Sequence, residues 1–215
     1  MNERIKYPIA ITAICLVAAA ALAFTFALTR ERIAAAERGE LNAALAVVLP
    51  AEAKSVQELP VDGVEGETLY VARANADETG AALGYAAVGV AQGYSSRIHV
   101  MVGLTPDNSI YAIRILKQSE TPGLGERTKD VPPTKTIWRA IGDAIGGDEG
   151  EEAAPAEPPF QQQFRGKTWN ELELTKDPSN PNAIHQLTGA TITSSAVLNA
   201  VQAAVKTIEA NKPEN

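Results

Sequence analysis

Between Lys6 and Arg30 the chain runs for 23 residues, Tyr7 to Thr29, without a charged side chain. Coiled as a helix, such a run extends about 35 Å, enough to cross a hydrocarbon layer of roughly 30 Å. Arg4 and Lys6 precede it, and Arg30 and Arg32 follow it. The run is alanine-rich and only moderately apolar. Ala21-Leu22-Ala23 resembles the small-residue site of a cleaved signal peptide. The apolar residues nevertheless continue through Phe24, Phe26 and Leu28, which favours an uncleaved anchor over 7–29 behind a short tail, 1–6. A core helix of a soluble domain is disfavoured because no charge interrupts the run. The positive-inside rule does not decide orientation, with basic residues Arg4 and Lys6 before the span and Arg30, Arg32 and Arg38 after it. A short N-terminus with a large translocated domain is the expected arrangement. Cys15 lies inside the span and reads as a small apolar residue facing lipid or another helix.

Composition then narrows the chemistry. A net charge of −7 with no basic stripe argues against a nucleic-acid partner, which needs clustered Lys and Arg. A single cysteine excludes an intramolecular disulfide, a cysteine-ligated iron–sulfur cluster and a cysteine zinc site. With His99 and His185 as the only histidines, a haem or a multi-histidine metal site is hard to build, and no metal ligands are assigned. Redox chemistry here would therefore call for an organic cofactor. No Ser/His/acid or paired-carboxylate arrangement stands at a spacing that suggests a hydrolase, and no catalytic residue is assigned.

Residues 30–48 have helical composition, with Ile33, Leu41, Leu45 and Val48 on roughly one face and Pro50 closing the pattern. They read as a stalk within a connector spanning 30–66. From Thr68 the period becomes strand-like. Strands are expected at 68–74, 83–90, 96–104 and 110–116, with turns at Asp77-Glu78-Thr79-Gly80 and Pro106-Asp107-Asn108. Residues 143–159 are rich in Gly, Glu, Ala and Pro and read as a solvated acidic insertion. A Phe164-Arg165-Gly166-Lys167 segment, a short strand at Leu172-Glu173-Leu174 and a loop to Ile184 follow. A closing helix has Val197, Val201, Ala204 and Ile208 on one face and leaves at Lys212-Pro213. The fold class expected is α+β: one N-terminal transmembrane helix, then an antiparallel sheet domain with flanking helices over 67–212.

Two segments suggest a site. Thr188-Gly189-Ala190-Thr191-Ile192-Thr193-Ser194 stands immediately before the closing helix. Small residues let backbone approach a bulky anion, and the unpaired N–H groups of a helix start favour phosphate. The same residues also suit an ordinary N-cap, with Thr193 or Ser194 satisfying the first-turn donors. Ser119-Glu120-Thr121-Pro122-Gly123-Leu124-Gly125-Glu126 follows a strand. Such a loop can lay backbone amides and one apolar side chain against a flat ring, or be a surface turn. It is not a Walker loop, since no Gly-Lys-Ser/Thr follows.

Together these segments resemble the FMN-binding domain of the Rnf complex's G subunit, shared with the C subunit of the sodium-translocating NADH:quinone reductase. The single N-terminal span, Gly93-Tyr94-Ser95-Ser96, Phe164-Arg165-Gly166-Lys167 and Lys176-Asp177 match as well. The resemblance implies that Thr191 carries FMN through a phosphodiester bond made by a dedicated flavin transferase drawing on FAD. It implies that Glu120, Thr121, Leu124 and Gly125 lie near the isoalloxazine ring and that Gly123 belongs to the same cofactor site. Gly189 and Ala190 would lie under the phosphate, with Thr193 and Ser194 near it, and Thr188 would belong to the same cofactor site. A covalent link has a physical rationale outside the cytoplasm, where lost FMN is not readily replaced.

One position departs from the family pattern: an Asp usually stands six residues before the modified Thr, and here that residue is His185. If that Asp aids the transferase, modification is slower or needs a matched enzyme. His185 is otherwise a tolerated surface residue, or a group titrating near neutral pH that modulates the flavin. The function implied is electron carriage within an Rnf-type membrane complex that couples ferredoxin:NAD⁺ electron transfer to ion translocation. Its FMN domain would face outward from the bacterial cytoplasmic membrane, with the other membrane subunits as partners. No complete activity is expected of the chain alone, and an apolar span without charge is a poor ion path. The alternatives are the C subunit of the quinone reductase, another extracytoplasmic FMN carrier, or a tethered scaffold without flavin.

Overall fold

A computed structural model describes residues 3–61, 68–75, 80–129, 157–169, 172–177, 179–180 and 183–213. The chain divides into two compact units, residues 1–42 and 43–215. A single helix, α1 (Glu3–Val48), contains the apolar run and the expected stalk helix without a break. From Tyr7 to Glu40 every side chain is exposed, so nothing in the described protein buries this apolar surface. The helix is long and apolar enough to cross a membrane. Its threonines suit that setting. Thr12, Thr25 and Thr29 each donate the hydroxyl to the carbonyl four residues back, at 2.9, 2.9 and 3.0 Å. No hydroxyl donor of these three is then left facing hydrocarbon.

The second unit is built on a five-stranded antiparallel meander of β1 (Ser55–Pro60), β2 (Thr68–Arg73), β3 (Ala82–Gln92), β4 (Arg97–Leu104) and β5 (Ile110–Lys117), in that spatial order. The sequence pattern gives four strands; β1 is the fifth, lying where a connector was expected. Its residues alternate between partial burial and exposure. An edge strand needs only one paired side, so SVQELP can be polar and end in proline. The turn expected at 77–79 lies outside the described residues. The turn at 106–108 forms, with Asn108 at φ 63 and its N–H bonded to the Thr105 carbonyl at 3.0 Å.

Both sheet faces are covered, which is why β4 is apolar on both. Ile98, Val100 and Val102 point to one face, in the core with helix α3 (Thr191–Asn211). On that helix Val197, Val201, Ala204 and Ile208 are buried as the 3.6-residue period requires. Burial of each larger aliphatic side chain contributes about 1.5–3 kcal/mol. A Cβ on Gly89 would collide with the Ala200 carbonyl, so glycine sets how closely α3 lies on β3. On the other face Met101 and Ala86 are buried, and a Cβ on Gly103 would strike the Val48 carbonyl. Of the stalk face, Ile33 is exposed and Leu45 and Val48 are buried. Only the last turns of α1 thus join this core.

Between β5 and α3 lie a 3-10 turn (Gly125–Thr128), a short helix α2 (Pro159–Gln162) and a two-residue parallel pair, β6 (Leu174–Thr175) with β7 (Ile184–His185). The strand expected at 172–174 is thus displaced to 174–175. Of the expected acidic insertion, 143–156 lies outside the described residues. Glu157 and Pro159 are ordered parts of the fold: Glu157 pairs with Arg165 at 2.9 Å and Pro159 opens α2. Phe160 and Phe164 pack edge to face at 5.8 Å inside the core. Gln161 donates to the Thr128 carbonyl at 2.9 Å, tying α2 to the 3-10 turn.

Candidate functional site

The β3–β4 turn and the exit of β5 lie at the same end of the sheet, because His99 near the start of β4 pairs with Lys117 at the end of β5. The turn closes tightly, with the Gly93 N–H on the Ser96 carbonyl at 2.8 Å. Three residues beyond β5 comes Glu120, a carboxylate only 7 % exposed. Such a charge is costly unless its lone pairs are filled. They are filled by neutral donors. Oε1 accepts the N–H groups of Ser95 and Ser96, both at 3.0 Å, and the Ser96 hydroxyl at 3.3 Å. Oε2 accepts the Tyr94 N–H at 3.2 Å and the Thr193 hydroxyl at 2.7 Å. Three successive N–H groups turned toward one anion form a nest, and here the anion is the protein's own. Burial pushes the carboxyl up. The Thr193 hydroxyl and the N–H groups of Ser95, Ser96 and Tyr94 outweigh it and hold Glu120 below the usual value.

This clamp joins the two sequence motifs and the Gly93-Tyr94-Ser95-Ser96 turn. The Ser96 hydroxyl also accepts the Ser119 N–H at 2.8 Å. Close approach demands the glycines. A Cβ on Gly125 would lie 2.6 Å from the Thr193 hydroxyl oxygen, and one on Gly93 would lie 2.6 Å from Glu120 Oε1.

The start of α3 has the opposite character. Its N-cap is Ala190, and no side chain caps the first turn. The first helical hydrogen bond runs from the Ser194 N–H to the Ala190 carbonyl at 2.9 Å, so the amides of residues 191–193 precede the ladder. Thr193 and Ser194, the hydroxyls available for a cap, are both turned inward. Thr193 bonds Glu120, and the Ser194 hydroxyl accepts the Leu187 N–H at 3.2 Å. The simple N-cap reading therefore fails. Both residues, expected near a phosphate, are buried with their hydroxyls bonded inside the protein.

Thr191, the first residue of α3, is exposed, as are Thr188 and Gly189, while Ala190 is buried. Gly189 takes φ +80, a conformation glycine adopts freely. A Cβ there would come within 3.1 Å of a Leu124 methyl, so Leu124 reaches the approach to Thr191. Thr121 and Gly123 are exposed and Gly125 is buried. Leu124 is 44 % exposed and Ile192, beside Thr191, is 54 % exposed. Apolar surface and uncapped amides therefore flank the exposed hydroxyl of Thr191, with that of Thr188 three residues before it. That combination can hold an anionic group at the turn and lay a flat apolar group beside it. Among the residues expected near a ring, Glu120 has both carboxylate oxygens occupied by protein donors. A polar recess of about 320 Å³, lined by Gln118, Ser119, Glu120, Glu126 and Lys129, opens beside the same loop.

His185 lies in β7. Its N–H donates to Gln163 Oε1 at 2.7 Å, and its Nε2 lies 2.9 Å from the Asn180 carbonyl. Nearby Asp177 is held below the usual carboxylate range, first by the Ser179 N–H, then by its hydroxyl, with a smaller contribution from His185.

The clamp was not legible in the sequence. Its donors are mostly backbone N–H groups, which leave no residue-type signature. The only signals are a glutamate just past a strand end and a Gly-x-Ser-Ser turn.

The model of the FMN-binding domain family matches residues 93–206. The G subunit of the ion-translocating oxidoreductase complex of Aliivibrio fischeri strain MJ11 is 28% identical over 211 residues, covering 93% of this chain and 88% of that protein. Its counterpart in Methanosarcina acetivorans is 27% identical over 216 residues, covering 98% and 97%. The G subunit of the proton-translocating ferredoxin:NAD(+) oxidoreductase complex of Clostridium ljungdahlii is 30% identical over 126 residues, 59% of this chain and 54% of that one. Among solved structures, the C subunit of the Na(+)-translocating NADH-quinone reductase from Parabacteroides distasonis has a TM-score of 0.46 and 19% identity, covering 76% of this chain and 80% of that one. The family match begins at Gly93 and includes Glu120, Thr191 and Thr193, and the chain belongs to the FMN-binding domain family.

Proposed function

We propose that this chain is the membrane-anchored electron-carrier subunit of an Rnf-type ion-translocating oxidoreductase complex, with FMN attached covalently to Thr191. The observation that carries the site assignment is the contrast among its hydroxyls: those of Thr193 and Ser194 are buried and bonded, whereas Thr191 stands exposed on an uncapped helix start. The residues fit the cofactor. The first-turn amides and the helix dipole suit a phosphodiester, and Leu124 and Ile192 offer apolar surface to a ring. When bound, the flavin supplies the electron transfer; the protein holds it and excludes its loss.

Attachment is a phosphoryl transfer from FAD. Thr191 would supply its Oγ to the flavin-side phosphate of FAD: the Oγ–H and FAD pyrophosphate bonds would break, an Oγ–P bond would form, and AMP would leave. The proton passes to a base on the transferase. The G subunits of related complexes support the reading of the partners, by their names and by full-length similarity. Helix α1 fits a membrane anchor, and we place the second unit on the extracytoplasmic side, where covalent retention is most useful.

The test is peptide mass analysis of the full chain co-expressed with a flavin transferase. The expected result is a mass gain equal to FMN less water on the peptide containing Thr191. An unmodified peptide, with the transferase active on a control substrate, would overturn the covalent reading and return attention to His185.

A further inference from the structure

Thr191 and Thr193 are two residues apart on the first turn of α3, so about 200° of rotation separates their side chains. Fixing one inward turns the other outward. Thr193 is fixed inward by the buried 2.7 Å bond to Glu120 Oε2. Glu120 is fixed in turn by the Tyr94, Ser95 and Ser96 amides, which belong to the sheet's own β3–β4 turn. The rotation of the helix start is thus referenced to the sheet through one carboxylate.

We propose that Glu120 and Thr193 form a positioning pair that fixes the rotation of the first turn of α3 and so presents Thr191 for flavin attachment. Neither residue touches the reacting atoms. Glu120 acts through Thr193, and Thr193 acts through the helix backbone. No side-chain cap exists to do this instead. The packing of the pair is also unforgiving on the loop side, where Gly125 leaves no room for a methyl group against Thr193. The inference rests on Thr191 being the attachment site.

The test compares Thr193→Val, which keeps the shape but removes the hydroxyl, with Thr193→Ser, which keeps the hydroxyl. Both are made in the full chain. Amide hydrogen exchange is measured on the flavin-free protein, and flavin incorporation on protein co-expressed with a transferase. Thr193→Val is expected to speed exchange at residues 94–96 and at the start of α3 by about tenfold or more relative to the strand core, as for loss of a charge-assisted hydrogen bond. It is also expected to lower flavin incorporation, with Thr193→Ser restoring both. Wild-type exchange in Thr193→Val would overturn the pair. So would a Thr193→Ser variant as impaired as Thr193→Val, since shape would then be the cause. Absence of flavin from the wild type itself would count against the attachment site, while the exchange comparison would still decide whether the pair holds the turn.

Discussion

The β3–β4 turn at Tyr94–Ser96 and the first turn of α3 both present backbone N–H groups that attract an anion, and neither contains a Lys or Arg. The first is filled from within by Glu120; the second is left without a side-chain cap. One hydroxyl, that of Thr193, connects them. The difference separates structure from function. An internal carboxylate in a nest locks a fold permanently, while an open helix start beside an exposed threonine leaves a place for something the chain does not itself supply. Had Thr193 or Ser194 capped α3, the two turns would be alike and both merely structural.

The harshest way to break the comparison is to empty the filled seat. Glu120→Ala leaves three amides and the Thr193 hydroxyl without their shared acceptor, and a cavity as well. Each buried donor left without an acceptor costs about 1–3 kcal/mol. Thermal unfolding of the second unit should show a large fall in Tm, and an unchanged Tm would mean the clamp is not stabilising.

A smaller effect is expected from crowding the junction. Gly125→Ala places a methyl 2.6 Å from the Thr193 oxygen. Overpacking of this kind costs about 1–3 kcal/mol, and denaturant unfolding would measure it. Gly123→Ala, where a Cβ meets nothing within 4 Å but φ is +75, separates conformational strain from collision.

Much of this molecule can be read from its residues, and the boundary is physical. The middle strands and the closing helix announce themselves because burial imposes a period on their apolar residues, and the anchor helix because no charge interrupts its apolar run. Strand β1 does not, because an edge needs no apolar face. The two site loops stand out by their small residues and hydroxyls. Which hydroxyl faces inward is invisible, since it depends on the position of Glu120, fixed by amides that every residue possesses. Thr193 and Ser194, expected near a phosphate, are thus seen only in the structure to be buried with their hydroxyls bonded inside the protein.

The gentlest probe is pH. The folded-state carboxyl of Glu120 lies below its ordinary value of 4.5. Its contribution is therefore complete above that value and is lost as pH falls through the lower folded value. Stability measured from pH 6 downward should decline in the wild type, and less steeply in Glu120→Gln, which has no such proton to take up. Equal slopes would show that other carboxylates govern acid unfolding.

The most direct measurement is flavin fluorescence in denaturing electrophoresis of the wild type, Thr191→Ala and Thr188→Ala, each co-expressed with a flavin transferase. Thr188 is the neighbouring exposed hydroxyl, so it controls for exposure alone. A band in the wild type and Thr188→Ala, absent in Thr191→Ala, is the predicted result. A band that persists in Thr191→Ala would place the flavin elsewhere and contradict the assignment of the open helix start as its seat.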